Sequence, residues 1–276
     1  MYTYLMTMML FCIGLVVTLI TLPMIRDMLV KTGLTRENYR GDMIPVGLGI
    51  VFIPTLVVNS IILIYSNIIS DKIILIYMLL FACIAMSFVG IVDDILGDRS
   101  VSGLLGHFKA LYKGKLTTGA FKALMGGFVG LAIGVTMTKS IPSIIVTTLV
   151  VALSTNMMNL FDLRPGRAIK VYIVLSIIIF IASAKFHREV MMTLIPAVIA
   201  YFYYDLKALT MMGDAGSNVL GVSIGVFIVL SFNFLVQLVC LILLIAMHII
   251  TEKISLTKFI EDNKFLNYID KLGRGL

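Results

Sequence analysis

The sequence is poor in charge. Only 13% of its 276 residues are Asp, Glu, Lys or Arg, against about 25% in an ordinary soluble domain. With a mean hydropathy of +1.06 and 60% hydrophobic residues, the chain has too little polar surface to shield a core from water. That excludes a water-soluble globular fold. Cysteine is scarce as well. Cys12, Cys83 and Cys240 all lie within apolar runs, with no Cys-x-x-Cys and no His-rich tract. They read as small buried hydrophobes, which excludes a disulfide framework and a cysteine metal cluster. The apolar runs also lack the apolar/polar alternation of a membrane β-barrel. The first run, Tyr4–Met24, has no basic residue upstream. It is too long for a signal-peptide core, so it reads as a first span and not a cleaved leader.

What is present is a series of long apolar segments. Residues 3–25, 44–66, 72–92, 119–138, 141–161, 168–184, 190–205, 216–231 and 233–251 predict nine transmembrane helices in an all-α polytopic membrane protein. Pro142 and Asn233 mark two very short turns between neighbouring spans. Nine crossings put the termini on opposite sides. With the N-terminus outside, all but four of the 22 Lys and Arg residues fall on inside segments; the four are Lys72, Lys139, Lys185 and Arg188. The net charge of +7 is then mostly topology, and it does not point to nucleic acid. Residues 1–251 form one transmembrane domain. Residues 252–276 mix charges with Ile254, Phe259, Phe265 and Leu272 and predict an amphipathic tail on the inner membrane surface.

Chemistry concentrates on the inside. Four stretches place acids or amides at the mouth of a span: RENYRGDMIPVGLG (36–49), VDDILGD (92–98), NMMNLFDLRPGR (156–167) and MGDAGSN (212–218). Acids at membrane depth are costly and usually have a functional partner. Asp93, Asp94, Asp162 and Asp214 sit at the inner ends of three different helices, where a bundle can bring them together. Convergent carboxylates invite a hard cation such as Mg²⁺. Lys122, Arg164 and Arg167 lie close by in sequence, and carboxylates with cations make a phosphate-handling layout. Asp98 reads as a neighbour that pairs with Arg99. His187 and His248 read as structural, and His107, in an amphipathic stretch at 103–119, as a candidate substrate contact.

These motifs resemble those of the polyprenyl-phosphate N-acetylhexosamine-1-phosphate transferase superfamily. VDDILGD is similar to its Asp-Asp motif, NMMNLFD to its Asn-x-x-Asn-x-x-Asp motif, MGDAGS to its Gly-Asp-x-Gly-Ser motif and IPVGLG to its Pro-x-Gly-Gly region. The resemblance covers residues 40–220, with all four in order. It implies a Mg²⁺-dependent transfer of a sugar-1-phosphate from a UDP-N-acetylhexosamine to polyprenyl (undecaprenyl) phosphate, releasing UMP at the cytoplasmic face of the plasma membrane. It implies Asp214 as the magnesium ligand, Asp93 and Asp94 beside the lipid phosphate, and Asn159 and Asp162 on the nucleotide side. Lys122, His107, Arg164 and Arg167 join them as expected substrate contacts. Many relatives of this kind are dimers, so a homodimer comes with the resemblance.

The chain also departs from the family pattern. Pro165 stands where a second Asp usually follows Asp162. A late His-rich loop is missing, which disfavours a muramyl-pentapeptide substrate, and so is a tenth span. Two other readings account for part of the pattern. One is a non-catalytic member that binds polyprenyl phosphate. The other is a cation-coupled transporter, although no span centre carries a charge.

Overall fold

The computed structural model describes residues 2–67, 72–97, 106, 110 and 112–274. Asp98, Arg99 and His107, with most of the amphipathic stretch around them, lie outside the described residues.

Among the described residues the chain runs nine times between two ends of a helical bundle. The passes are α1 (Tyr2–Lys31), α2 (Phe52–Ser66), α3 (Ile73–Leu96), α4 (Thr118–Met137), α5 (Ile141–Phe161), α6 (Arg167–Ala182), the broken pair α7 (Lys185–Met191) and α8 (Ile195–Leu206), α9 (Gly213–Ser231) and α10 (Phe234–Lys253). Eight of the nine are long and apolar enough to cross a membrane. The protein is a multi-pass membrane protein. The expected span at 168–184 is the exception. Its helix α6 has 16 residues and rises about 24 Å, short of a hydrocarbon layer of about 30 Å. It still reaches the far end, where the hydroxyls of Ser183 and Ser231 lie 2.7 Å apart.

The element ends follow local chemistry. Thr117 caps α4 by accepting the Ala120 amide at 3.1 Å, and Asn233 caps α10 by accepting that of Val236 at 3.2 Å. Pro142 and Pro196 occupy first turns, where a missing N–H costs nothing. Several expected boundaries moved. Helix α1 runs to Lys31, past the expected end at 25. The span expected from 44 gives its first residues to a short strand and begins its α-helix at Phe52. The span expected at 190–205 starts at Lys185 and is broken in two. Helix α3 continues to Leu96, past the expected end at 92, and α9 begins at Gly213 rather than 216. In α3 and α9 the expected ends stopped at the carboxylates. The helices continue because other elements supply partners for those carboxylates, Lys122 for Asp93 and Asp214 and two backbone amides for Asp94.

Within the bundle, polar side chains tie helices together, as apolar contact alone gives little preference over lipid. Asn59 donates to the carbonyls of Leu10 at 2.9 Å and Met192 at 3.2 Å. The Thr18 and Thr55 hydroxyls meet at 2.7 Å. Helix α9 is the central element, buried along almost its whole length and packed on α3 and α5.

Two additions sit at the end where α3 stops and α9 starts. One is a hairpin, β1 (Thr35–Glu37) and β2 (Met43–Pro45), which pairs Thr35 with Pro45 and Glu37 with Met43. It continues as a backbone ladder toward α9. The Met211 amide donates to the Pro45 carbonyl at 2.8 Å, Leu48 to Met211 at 3.1 Å, and Gly49 to Met212 at 2.9 Å. Gly49 and Gly216 touch backbone to backbone, and a Cβ on either would overlap the other.

The other addition is the tail, α11 (Leu256–Asp262) and α12 (Lys264–Lys271). It is helical, as its pattern implies, with Phe259, Phe265, Tyr268 and Leu272 exposed. Its inner side is held by a buried ion pair, in which Arg167 Nε and Nη2 donate to the two Asp270 carboxylate oxygens at 2.7 and 2.8 Å. Burial opposes the charge on Asp270, but hydrogen bonds from Arg167 and Arg274 outweigh it and hold the carboxyl below its usual range. A depressed folded-state pKa gives stability that is full above the unfolded value of about 3.9 and is lost as pH falls through the lowered value. The tail is therefore expected to stay docked at pH 5 and to release only in stronger acid. Limited proteolysis of the tail across pH 7 to 3 checks this, and cleavage that rises already near pH 5 would contradict it.

Candidate active site

The carboxylates predicted from the sequence meet at one cavity of about 840 Å³ at this end of the bundle. Asp93 arrives on the last turns of α3, Lys122 on the first of α4, Asn159 on the last of α5, and Asp214 on the first of α9. Lys122 is the hub. Its ammonium donates to Asp214 Oδ2 at 2.6 Å and to Asp93 Oδ2 at 3.0 Å. All three side chains are partly open, at 18%, 28% and 15% exposure for Lys122, Asp214 and Asp93.

Asp94 faces elsewhere. Neighbouring residues on a helix point about 100° apart, so the tandem acids serve two directions. Asp94 is buried, and its Oδ1 and Oδ2 accept the backbone amides of Asp214 at 2.9 Å and Ala215 at 3.0 Å. A carboxylate there closes the open N–H groups of α9 and opposes the positive end of its dipole. The chain enters α9 through Gly213 at φ +69°, where a Cβ would lie 2.5 Å from Asp94 Oδ2. Only glycine gives both that backbone and that approach. Asp94 thus aims Asp214, while Asp93 faces the open cavity.

Asp162 caps the end of α5 and lines the cavity. Burial pushes its carboxyl well up, and Asp205, Asp214 and Asp94 add to the shift by repulsion. Asn159 is held by its Nδ2 donating to Asn218 Oδ1 at 2.9 Å and by its Oδ1 accepting from the Ser217 hydroxyl. Arg164 lines the cavity with an exposed side chain, and its Nη2 is 3.9 Å from Glu261. Arg167 does not line the cavity, because its guanidinium is committed to Asp270. His107 lies outside the described residues.

Arg36, Asn38 and Asp205 also line the cavity, although the sequence pattern assigns them no role. Arg36, on β1, donates to the Asp94 carbonyl at 2.6 Å. Asn38 donates to the Ala208 carbonyl at 3.2 Å. Asp205, at the end of α8, accepts the Gly166 amide at 2.8 Å. Asp205 obeys the same rule as the others, an acid at the mouth of a span, and that rule was the signal for it.

The cavity walls carry six acids, Asp93, Asp94, Asp162, Asp205, Asp214 and Glu252, against three cations, Arg36, Lys122 and Arg164. From this polar centre the cavity runs on between α4 and α5, along Gly119, Ala123 and Gly126 on one side and Ala152, Leu153 and Thr155 on the other. An acidic centre therefore adjoins a mostly apolar part of the cavity lined by two membrane helices.

The family model described as glycosyl transferase family 4 matches residues 75–232. The chain belongs to glycosyl transferase family 4. No curated protein sequence matches it. The matched region spans α3 to the end of α9 and holds Asp93, Asp94, Lys122, Asp162, Asp205 and Asp214. The activity of this chain is thus that of a polyprenyl-phosphate sugar-phosphate transferase. The hairpin that carries Arg36 and the tail that carries Asp270 fall outside the match. Among the described residues of the transferase, no group of three or more His, Cys, Asp or Glu side chains makes a ready-built metal cage.

Proposed function

We propose that this transferase moves an N-acetylhexosamine-1-phosphate from a UDP-linked donor to polyprenyl phosphate and releases UMP. The reaction takes place at the cytoplasmic face of the plasma membrane, with the N-terminus outside. Residues 1–251 form the transferase domain and 252–276 an inner tail. The observation that carries the reading is Lys122 held between Asp93 and Asp214, where the acid-rich centre of the cavity adjoins its mostly apolar part lined by α4 and α5.

The reaction joins two phosphates. An oxygen of the lipid phosphate attacks the donor phosphorus that bears the sugar. The bond from that phosphorus to the bridging oxygen breaks, and UMP leaves with that oxygen. Polyprenyl phosphate is already largely ionised and needs little help from a base.

Both reactants are polyanions, and the six lining acids repel them. The donor set fits Mg²⁺, which typically takes one or two carboxylates and completes its shell with water and phosphate oxygens. Asp93 and Asp214 would hold it. Bound there, the ion supplies charge neutralisation at the attacking and leaving oxygens. Lys122 stays beside both carboxylates and adds a cation to the same centre. Asp94 keeps Asp214 aimed through the start of α9. Asn159 and Asp162 face the nucleotide side, with Arg164 at the rim. The prenyl chain enters along Gly119, Ala123 and Gly126, where small residues leave room for it.

The test is UMP release by the purified full-length protein in detergent, with polyprenyl phosphate, Mg²⁺ and a panel of UDP-N-acetylhexosamines. Release with one donor and only with Mg²⁺ is expected. If no donor gives release while polyprenyl phosphate still binds, the chain is instead a non-catalytic lipid-binding member.

A further inference from the structure

The turn between α5 and α6 carries Asp162, Arg164 and Pro165 on the cavity wall. At its ends the turn is tied to its own helices, the Asp162 amide donating to the Met158 carbonyl at 3.1 Å and the Lys170 amide to the Gly166 carbonyl at 3.0 Å. The Gly166 amide donates to Asp205 at 2.8 Å, and the Arg167 amide to the Arg164 carbonyl at 3.2 Å. The tail adds a second set of bonds. Arg274 Nε donates to the Pro165 carbonyl at 2.7 Å, and Arg274 Nη2 to Asp270 Oδ1 at 2.7 Å. Arg167 Nη1 donates to the Thr257 hydroxyl at 3.0 Å. Lys170, one turn into α6, donates to the carbonyls of Ile269, Asp270 and Leu272 at 2.8–2.9 Å and so closes the end of α12.

Asp270 stands at the centre of this network. It takes both Arg167 and Arg274, and through them it reaches each side of the turn. Arg167 and Asp270 are 3% and 7% exposed, which is far more burial than a surface ion pair has. A buried, bidentate Arg–carboxylate pair fixes orientation as well as contributing energy. The tail is a short, separate unit, so loss of the pair opens the tail locally and leaves the bundle folded.

We propose that the C-terminal helices form a clasp that fixes the Asp162–Gly166 turn at the cavity wall, with Asp270 as its positioning residue. Releasing the clasp lets the turn drift and slows transfer without unfolding the protein. The kinetic part of the test rests on the proposed function, whereas the structural part does not.

The experiment uses full-length Asp270→Asn, Asp270→Glu and Arg274→Gln beside the wild type. Hydrogen–deuterium exchange is read at residues 163–170, and kcat and KM are measured for the donor. In Asp270→Asn, exchange over the turn is expected to rise at least about tenfold while the cores of α3, α5 and α9 are unchanged. With that drift, kcat falls by about ten- to a hundredfold, the range for a small misplacement of a reacting group. Asp270→Glu, which keeps the charge, recovers part of both effects. Arg274→Gln, which leaves the buried pair in place, moves both in the same direction by less, and it serves if Asp270→Asn does not fold. Unchanged exchange over the turn in Asp270→Asn and Arg274→Gln would overturn the clasp. Raised exchange with unchanged kcat would overturn the positioning role. A wild type inactive with every donor would refute the proposed substrates, and the exchange result would still decide the clasp.

Discussion

Asp214→Asn is expected to cut transfer by about a hundred- to a thousandfold, the usual loss when one well-placed electrostatic group is removed from a reacting centre. It should leave the bundle folded. Asn matches Asp in shape, so the start of α9 keeps its packing. Lys122 is not stranded by the change, because Asp93 Oδ2 remains 3.0 Å away. The loss is therefore one of charge where the two phosphates and the cation must meet. A second readout separates metal binding from general disruption. In the wild type, Mg²⁺ that binds only the folded state raises Tm with concentration. In Asp214→Asn that rise should shrink or vanish while the Tm without Mg²⁺ stays close to wild type. Full activity in the variant would remove Asp214 from the centre of the reading.

Asp94→Asn is expected to fail differently, in stability as well as in rate. The two Asp94 oxygens accept two amides at the start of α9, at 2.9 and 3.0 Å. An Asn side chain offers one oxygen, and its NH₂ would point at the second amide, donor against donor. A hydrogen bond to a charged group contributes about 1.5–3 kcal/mol, which in a domain of this size is about 3–12 °C in Tm. Rate falls too, since Asp214 is carried on the helix end that loses its anchor. Asp93→Asn is the control. It faces Lys122 and not a helix end, so it should lose rate with little change in Tm. Equal behaviour of the Asp93 and Asp94 variants in thermal unfolding and UMP release would contradict this division of roles.

That division marks where the sequence stops being legible. VDDILGD says that two acids sit at a helix mouth, and the apolar run before them says which helix. It does not say which acid faces inward. The answer depends on how α3 is rotated against α9, set by packing on residues more than a hundred positions away. The nine passes were legible because lipid demands long apolar runs. Helix α6, expected at 168–184 and found at Arg167–Ala182, was legible to within two residues, and it is the run itself that is short for a crossing. Arg167 looked like a basic flank near phosphates. Its partner, Asp270, lies 103 residues further on, and no local pattern links them. The hairpin at Thr35–Pro45 left no signal, since three-residue strands are too short for alternation to register. Asp205 was visible in principle, at a span mouth like the others, but it matched no motif.

Helix α9 has a consequence for how the molecule is assembled. It is enclosed by α3 and α5, yet it is the eighth of the nine passes to be synthesised. Ser217, Asn218 and Ser223 on it are buried against protein, and they suit lipid poorly. Helices enter a bilayer one by one and pack afterwards. The earlier helices must then stand apart, or part again, until α9 reaches the membrane, and α10 joins from the outside on the face of α5. The bundle matures by closing around a late arrival, not by growing outward in the order of the chain. Half-made chains that stop before residue 213 would hold an open polar seam between α3 and α5, a natural target for membrane quality control.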